Sequence, residues 1–332
     1  MTKLVKKIAL LTSGGDAPGM NAAIRSATLT AHDYEVIGYK HGFNGLLDQD
    51  CIVLNDADVR HIIHQGGTIL KSARCPAFSE VQSSKIAAEN LSKNQIDALI
   101  VIGGDGSFRG ACHLAQYWSG QIIGIPGTID NDVDGTDHTI GFYTAMETAL
   151  DATDKIRDTA DAFERIFIVE VMGRHSGFLA TSIGIACGAE QIICPELHAP
   201  EHFDLQTITQ HVESTRARRG KSSYIIVMSE NSYPDGAVAL AHLLSEQIGI
   251  DCRACVLGHI QRGGSPVASD RILATKLGAA AVEAIASGKS KLMIGESQGA
   301  IACIPLDQAS THQKTVDTTL LKLQQHVFDH QG

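Results

Sequence analysis

Five short segments combine glycine with carboxylates or arginines, and each directly follows an apolar run. Lys7–Thr12 leads into Ser13-Gly14-Gly15-Asp16-Ala17-Pro18-Gly19-Met20-Asn21. Paired glycines let backbone N–H groups approach an anion closely, and a helix starting near Asn21 adds its positive dipole end. Ala98–Ile102 leads into Gly103-Gly104-Asp105-Gly106-Ser107. There the glycines admit a phosphate chain and Asp105 meets a Mg²⁺ ion, directly or through water. Ile122–Ile125 leads into Pro126-Gly127-Thr128-Ile129-Asp130-Asn131-Asp132. Of two carboxylates flanking an amide, one suits metal-bridged phosphate and the other suits taking a proton from a hydroxyl nucleophile. Each segment alone also has an ordinary reading, as a glycine-rich turn or an Asp/Asn turn and cap.

The other two segments carry cations: Met172-Gly173-Arg174, and Gly258-His259-Ile260-Gln261-Arg262-Gly263-Gly264-Ser265. Arg165 and Arg253 stand at the beginnings of apolar runs in the same region. A single arginine is usually solvated, but Arg262 beside a glycine pair suits bidentate phosphate binding. Two common glycine templates fail on spacing. A GxGxxG fingerprint needs glycine at position 109, which is Arg109, and a Walker A loop ending at Gly288-Lys289-Ser290 needs glycine where Glu283 stands. Glycine-cradled anions, a metal carboxylate, a base and phosphate-clamping arginines together imply phosphoryl transfer from a nucleotide to a phosphorylated hydroxyl compound.

The elements that must position these groups alternate. Strands are predicted over Lys7–Thr12, Glu35–Tyr39, Ala98–Ile102, Ile122–Ile125, Ile166–Glu170, Gln191–Cys194, Tyr224–Ser229, Ala254–Leu257 and Lys291–Ile294. Between them lie helical patterns over Asn21–Ala31, Phe142–Thr159, Ser176–Ala186, Leu205–Arg218, Ala237–Gln247 and Ser269–Ser287. Continuous apolar strands separated by amphipathic helices read as parallel, doubly wound α/β. Such sheets bind ligands at the carboxyl ends of their strands, where all five segments fall. His61 and His64 read as a surface pair on a helix, and Arg216–Lys221 as a solvated helix end.

Composition fits this picture. The 332 residues suggest about two domains, and 44% hydrophobic with 19% charged residues excludes disorder. A net charge of −10 argues against nucleic acid or an anionic membrane as partner. Trp118 and the few other aromatics form no stacking platform for bases. The eight cysteines are scattered, and Cys252 and Cys255 form a CxxC without the second pair that zinc would require. The N-terminal apolar run is too short for a signal peptide and no window reaches the length of a membrane span, so the expected location is cytoplasmic.

The strings TSGGDAPGMNAAIR, GGT-x-L-x-SAR, VIGGDGS, PGTIDND, EVMGR and VLGHIQRGGSP occur in that order between about Lys7 and Gly295. Together they resemble the bacterial-type ATP-dependent phosphofructokinase family. NAD kinases and diacylglycerol kinases resemble it only at GGDGS. The resemblance implies a two-lobed α/β subunit, each lobe a mainly parallel sheet covered by helices, assembled as a homotetramer. It places an ATP lobe at 1–141 plus 254–304 and a sugar-phosphate lobe at 142–253 plus 305–332. By resemblance, Gly14, Arg74, Cys75, Gly104, Asp105, Gly106 and Ser107 belong to the ATP site, with Asp105 serving Mg²⁺. Thr128 and Asp130 meet the sugar hydroxyl, Asp130 as general base, with Asp132 beside them. Met172, Gly173, Arg174, Glu230, His259 and Arg262 match the fructose 6-phosphate pocket, Arg174 also steadying transferred charge. Arg165 and Arg253 match arginines that reach the sugar phosphate of a neighbouring subunit.

Departures from the family pattern are also legible. Lys71 stands where many relatives carry something smaller. An effector site would use Arg25, Arg157, Arg219 and Lys221, with Glu190 for Mg²⁺, but Leu29, Asp56 and Ser222 occupy positions that are basic in well-regulated relatives. A pyrophosphate-dependent phosphofructokinase, a lipid or NAD kinase and a non-catalytic nucleotide sensor remain as alternatives at this stage.

Overall fold

The computed structural model describes residues 6–197, 205–219, 223–312, 314–317 and 319–322. It separates into one unit of Met1–Thr144 with Arg262–Lys314, and a second of Ala145–Gln261 with Thr315–Gly332. The sequence reading placed the corresponding breaks after residues 141, 253 and 304.

The first unit is built on a seven-stranded sheet. Its parallel centre comprises β1 (Lys7–Thr12), β2 (Glu35–Tyr39), β4 (Ala98–Gly103), β5 (Gln121–Pro126) and β10 (Leu292–Ser297). At its edges, β3 (Cys51–Leu54) runs antiparallel to β2 and β11 (Ala300–Pro305) antiparallel to β10. The order is β11-β10-β5-β4-β1-β2-β3. One face of the sheet turns Ala9, Leu11, Ile37, Tyr39, Leu99 and Val101 into a core with α2 (Phe43–Asp48), α4 (Val81–Lys93) and α5 (Asp105–Leu114). Strand alternation sends Ile8, Leu10, Ile100 and Ile102 to the other side, and these too are fully buried. Burial on both faces explains why these strands read as unbroken apolar runs. Helices α1 (Met20–Thr30) and α10 (Ala268–Ala286) pack on each other in this unit. Gly278 permits their approach, since a Cβ there would lie 2.7 Å from the Ala23 carbonyl oxygen.

The second unit has a four-stranded, wholly parallel sheet of order β7-β8-β6-β9. Its strands are β6 (Ile166–Val171), β7 (Gln191–Ile193), β8 (Tyr224–Ser229) and β9 (Cys252–Val256). Ile166, Ile168, Tyr224, Ile226 and Met228 form a core with Ile208 and Val212 of α8 (Leu205–Arg219) and Leu240 and Leu244 of α9 (Gly236–Ile248). Helix α7 (Phe178–Ala186) packs against β7 and β8.

The doubly wound reading therefore holds, while details differ. His61 and His64 do not lie on a helix: α3 (Asp56–Val59) is a single turn capped by Asn55, and the chain then enters turns. Ser265 Oγ donates to the His64 carbonyl at 2.6 Å, fixing that turn. All eight cysteines are free, and no cluster of three or more metal-ligating side chains occurs among the described residues. No helix among the described residues is long and apolar enough to cross a membrane.

Candidate active site

Three adjacent parallel strands, β1, β4 and β5, end side by side, and their following turns interlock. The Ser13 N–H donates to the Ile102 carbonyl at 2.9 Å and the Gly127 N–H to the Gly103 carbonyl at 3.0 Å. Ser107 is buried, and its hydroxyl donates to the Ser13 carbonyl at 3.0 Å, tying the second glycine turn to the first. Gly103 admits this contact only because it lacks a side chain: a Cβ would fall 2.5 Å from Ser107 Oγ and 2.6 Å from the Ser13 oxygen. Gly14 lies under the loop that carries Arg74 and Cys75. Its N–H donates to the Ala73 carbonyl at 3.2 Å and its carbonyl accepts from Ser72 Oγ at 2.8 Å. Arg74 is exposed, whereas Cys75 is half-buried and burial pushes its thiol upward.

Asn21 organises the same region from the first turn of α1. Its Nδ2 donates to the carbonyls of Gln65 and Gly66 at 3.1 and 3.2 Å, and its Oδ1 accepts from the Ile69 N–H at 2.8 Å. Thr12 Oγ1 donates to the Lys71 carbonyl at 2.9 Å. Lys71 itself adopts a left-handed φ of 59° with its side chain exposed, so its backbone closes the turn while its ammonium remains in solvent.

Gly104 caps α5, and Asp105 begins it, where the helix dipole favours a negative group. The carboxylate pairs with Arg109 one turn on at 2.8 Å, and Arg109 Nη1 also donates to the Ser310 carbonyl at 3.0 Å. Gly106 faces open space apart from Arg109 Nη2, 3.5 Å from where a Cβ would stand. One carboxylate at a glycine turn, here paired with Arg109, fits a Mg²⁺ ion that arrives with nucleotide phosphates, since Mg²⁺ commonly takes one or two carboxylates plus phosphate oxygens and water. It does not fit an all-protein metal cage.

Thr128 follows β5 beside the second glycine turn, its Cβ 3.6 Å from where a Gly104 side chain would begin. Its hydroxyl accepts from the Asp130 N–H at 3.2 Å, and its carbonyl accepts from Thr139 Oγ1 at 2.5 Å. Asp130 is buried at 8% exposure. Asn131 adopts a left-handed φ of 54° and its Oδ1 accepts from the Thr139 N–H at 3.0 Å, pinning the turn between the two carboxylates. Gly127 faces the core. A Cβ there would meet Ile102 Cγ2 at 3.0 Å and Met20 Cε at 3.2 Å, so its missing side chain leaves room to the core and not to a ligand.

Arg262 belongs to the same unit. Its guanidinium lies against the first glycine turn, with Nη1 donating to the Asp16 carbonyl at 3.1 Å. The unit thus gathers Gly14, Gly104 to Ser107, Thr128, Asp130 and Arg262 around the ends of three neighbouring strands.

The remaining sugar-phosphate candidates cluster in the second unit, after β6. Gly173 and Arg174 have φ of 142° and 58°, an unusual consecutive pair. A Cβ at 173 would meet the Ser176 carbonyl at 2.5 Å, so only glycine serves there. Three side chains hold this turn. Gln261 Oε1 accepts from the Met172 N–H at 2.8 Å, Glu230 Oε1 accepts from the Arg174 N–H at 2.7 Å, and Asn231 Nδ2 donates to the Arg174 carbonyl at 3.0 Å. Met172 is buried, while His259 is exposed in a 3₁₀ turn over Gly258–Arg262. Arg165 and Arg253 meet through a carboxylate that the sequence reading passed over: their Nε atoms lie 2.7 and 2.8 Å from Asp251 Oδ2 and Oδ1.

The effector candidates are dispersed. Arg25 lies on α1 in the first unit with its Nε buried. In the second, Arg157 on α6 (Phe142–Phe163) reaches Glu190 at 3.4 Å and the carbonyls of Cys187 and Gly188 at 3.2 and 3.0 Å. Glu190 is buried and also accepts from the Ile225 N–H at 2.8 Å. Lys221 and the side chain of Arg219 lie outside the described residues. Asp56 is exposed and paired with Arg60 at 2.7 Å.

The sequence family of phosphofructokinases (PFK) matches residues 7–285. The chain is 48% identical over 323 residues to a Thermus thermophilus protein described as ATP-dependent 6-phosphofructokinase 1, covering 97% of this chain and 99% of that one. A Coxiella burnetii ATP-dependent 6-phosphofructokinase is 48% identical over 322 residues, with 96% and 97% covered. Among solved structures, Pichia pastoris phosphofructokinase in the T-state superimposes with a TM-score of 0.87 at 35% identity over 99% of this chain. This chain spans 37% of that longer one. A pyrophosphate-dependent phosphofructokinase from Marinobacter aquaeolei reaches a TM-score of 0.83 over 95% of this chain and 86% of that one, at 24% identity, a likeness of fold alone.

Proposed function

The chain belongs to the phosphofructokinase family, and from that premise we propose the reaction it performs and the residues that perform it. The protein is an ATP-dependent kinase that transfers the γ-phosphate of ATP to the 1-hydroxyl of fructose 6-phosphate, giving fructose 1,6-bisphosphate and ADP. The observation that carries this reading is the buried carboxylate of Asp130 beside Thr128, at the same carboxyl end of the sheet as two glycine turns. A base, an anion cradle and a metal carboxylate there are the parts that phosphoryl transfer requires.

In this mechanism the 1-hydroxyl attacks the γ-phosphorus in line with the bridging oxygen. Asp130 accepts the hydroxyl proton as the new O–P bond forms, and the bridging oxygen leaves with its bonding electrons on ADP. Thr128, N–H groups near Gly14 and the Arg174 guanidinium stabilise charge on the equatorial oxygens. Asp105 would hold Mg²⁺, which when bound would supply neutralisation of the developing phosphate charge. Arg74, Cys75, Gly104, Gly106 and Ser107 shape the nucleotide site, making the first unit the ATP lobe. Met172, Gly173, Glu230, His259 and Arg262 recognise fructose 6-phosphate, with Asp132 beside the base, and the second unit is the sugar-phosphate lobe. Arg165 and Arg253 serve a neighbouring subunit's sugar phosphate in a cytoplasmic homotetramer.

Identity of about 48% to ATP-dependent relatives over nearly the whole chain supports ATP over pyrophosphate as donor. A coupled assay with fructose 6-phosphate tests the reading directly. Turnover with Mg·ATP and little with pyrophosphate is expected, and no turnover with either donor would overturn it.

A further inference from the structure

The residues after β11 form a strap in the first unit that returns to the loop following β5. Helix α11 (Leu306–Thr311) begins it. Gln308 Nε2 donates to Asp134 Oδ2 at 3.2 Å, and His312 Nδ1 lies 3.6 Å from the same oxygen. The Lys314 N–H then donates to the Asp132 carbonyl at 3.2 Å, and Lys314 Nζ donates to the Asp137 carbonyl. The same side chain thus reaches across the loop whose beginning bears Asp130. Asp137 is itself anchored to the β10–β11 turn, its N–H donating to the Glu296 carbonyl at 2.7 Å and its Oδ2 accepting from the Gln298 N–H at 2.6 Å.

We propose that Lys314 is a positioning residue for phosphoryl transfer, holding the 130–137 loop in the shape that keeps Asp130 in place as base. This rests on the assignment of Asp130 made above. A half-buried ammonium that donates to the Asp137 carbonyl and feels the charges of Asp137, Asp134 and Asp132 draws the loop together, and an aliphatic side chain of the same length cannot.

The charge is also removable within an accessible pH range. Burial brings Lys314 down from 10.5 to about 8, against the opposing pull of Asp137, Asp134 and Asp132. The other titratable groups here behave differently. Burial, then the Lys314 charge, moves His138 below its usual 6.5, against the pull of Asp137 and Glu296. Burial and the charges of Asp270, Glu296 and Asp137 move Tyr143 above 10. His312 faces Asp134 in the open. Lys314 is therefore the group here that changes charge near pH 8. Between about pH 8 and 10.5 the unfolded chain holds more of this proton than the folded one, so this group makes the fold more stable as pH rises. An alkaline loss of activity through Lys314 is then separable from unfolding.

The experiment compares Lys314→Met and Lys314→Arg with the wild-type tetramer, using kcat and KM for fructose 6-phosphate across pH 6.5–9.5, thermal melting, and hydrogen exchange of amides 128–139. Lys314→Met should lower kcat about tenfold with a smaller change in KM, lose the fall in kcat near pH 8, and exchange faster over 128–139. Lys314→Arg keeps its charge at every pH, and should restore most of kcat while also losing that fall. A folded Lys314→Met enzyme with wild-type kcat, pH profile and exchange would overturn the proposal. If the wild type has no kinase activity, the functional assignment fails and the positioning role falls with it. Exchange then still reports separately whether Lys314 orders the loop.

Discussion

The guanidinium of Arg262 rests against Gly15: a Cβ on Gly15 would stand 2.5 Å from Nη1, which donates to the neighbouring Asp16 carbonyl at 3.1 Å. Sequence reasoning assigned Gly14, beside it, to the nucleotide and Arg262 to the sugar phosphate. The contact of Arg262 with Gly15 and Asp16, next in the chain after Gly14, ties the two assignments together within one unit, so a change at the glycine turn is felt by the arginine.

Gly15→Ala should therefore act through Arg262. The colliding atoms belong to the far end of a flexible side chain, so the fold should survive with a melting temperature close to wild type. The KM for fructose 6-phosphate should rise several-fold, and Arg262→Ala should raise it about tenfold or more, the loss of a charge-assisted phosphate contact. Saturation curves for the two variants provide the check. An unchanged KM in Gly15→Ala beside a raised one in Arg262→Ala would show that the arginine works from another position.

Asp130 should affect rate more than binding. Removing a base that acts only in the transition state lowers kcat with little change in KM, so Asp130→Ser should lose ~10²–10⁴ in kcat. Steady-state kinetics at saturating ATP measure this, and near-normal kcat would remove Asp130 from the mechanism.

The elements that sequence reasoning recovered were those with unbroken apolar runs, because burial on both faces of a parallel sheet leaves an unmistakable pattern. The antiparallel edge strands of the first unit's sheet left none. Cys51–Leu54 is four residues long and exposes Cys51 and Val53. Ala300–Pro305 returns through a turn with Gln298 and Gly299 at φ of 51° and 78°, a type I′ shape without the usual Asn-Gly signal. Helix α5 was hidden by its glycines, one of which, Gly110, is needed beneath the rings of Phe43 and Phe78. The glycine turns and the base were legible because their chemistry is local in sequence. Asp251, Gln261 and Lys314 were not. Each acts by reaching a distant backbone or side-chain group, and no local spacing reports such a contact.

Asp251 yields a prediction of its own. Its two oxygens hold the Nε atoms of Arg165 and Arg253, fixing two guanidinium groups side by side. Arg165→Ala and Arg253→Ala should each raise the KM for fructose 6-phosphate about tenfold or more. Asp251→Asn, which weakens the grip without removing either cation, should raise it by a smaller factor. If both arginines act on a neighbouring subunit's substrate, fructose 6-phosphate should hold the assembly together on dilution. Sedimentation with and without substrate tests that, and identical profiles where subunits separate would count against the shared site.

The family resemblance gives Gly106 and Gly127 to the space that the nucleotide's α-phosphate would take, and donor choice should depend on Gly106 more than on Gly127. Gly106 faces open space, whereas Gly127 packs on Ile102 and Met20. Gly106→Asp places a carboxylate beside Asp105, where the nucleotide's phosphates are expected. It should raise the KM for ATP at least tenfold, with the melting temperature nearly unchanged. Gly127→Lys must displace core side chains and should lower the melting temperature as well. Assays with both donors, together with thermal melts, distinguish these effects. A Gly106→Asp enzyme with unchanged ATP kinetics would refute the assigned role of this glycine.

Regulation by anionic effectors should be weak. Positions that would attract a diphosphate carry Leu29 and Asp56, and the cations that remain are partly engaged within the chain. Arg157 is committed to Glu190 and to two carbonyl oxygens, while Glu190 is buried and accepts a backbone N–H, which leaves it poorly placed to hold Mg²⁺. Asp56 is paired with Arg60, which softens its repulsion without making the position attractive. Losing two charge-assisted contacts corresponds to about a hundredfold in affinity. Millimolar ADP or phosphoenolpyruvate should accordingly shift half-saturation by fructose 6-phosphate only weakly. Saturation curves with and without effector decide the matter. A large shift would mean that Arg25, Arg157 and the basic end of α8 suffice, and that Arg157 leaves Glu190 when an anion arrives.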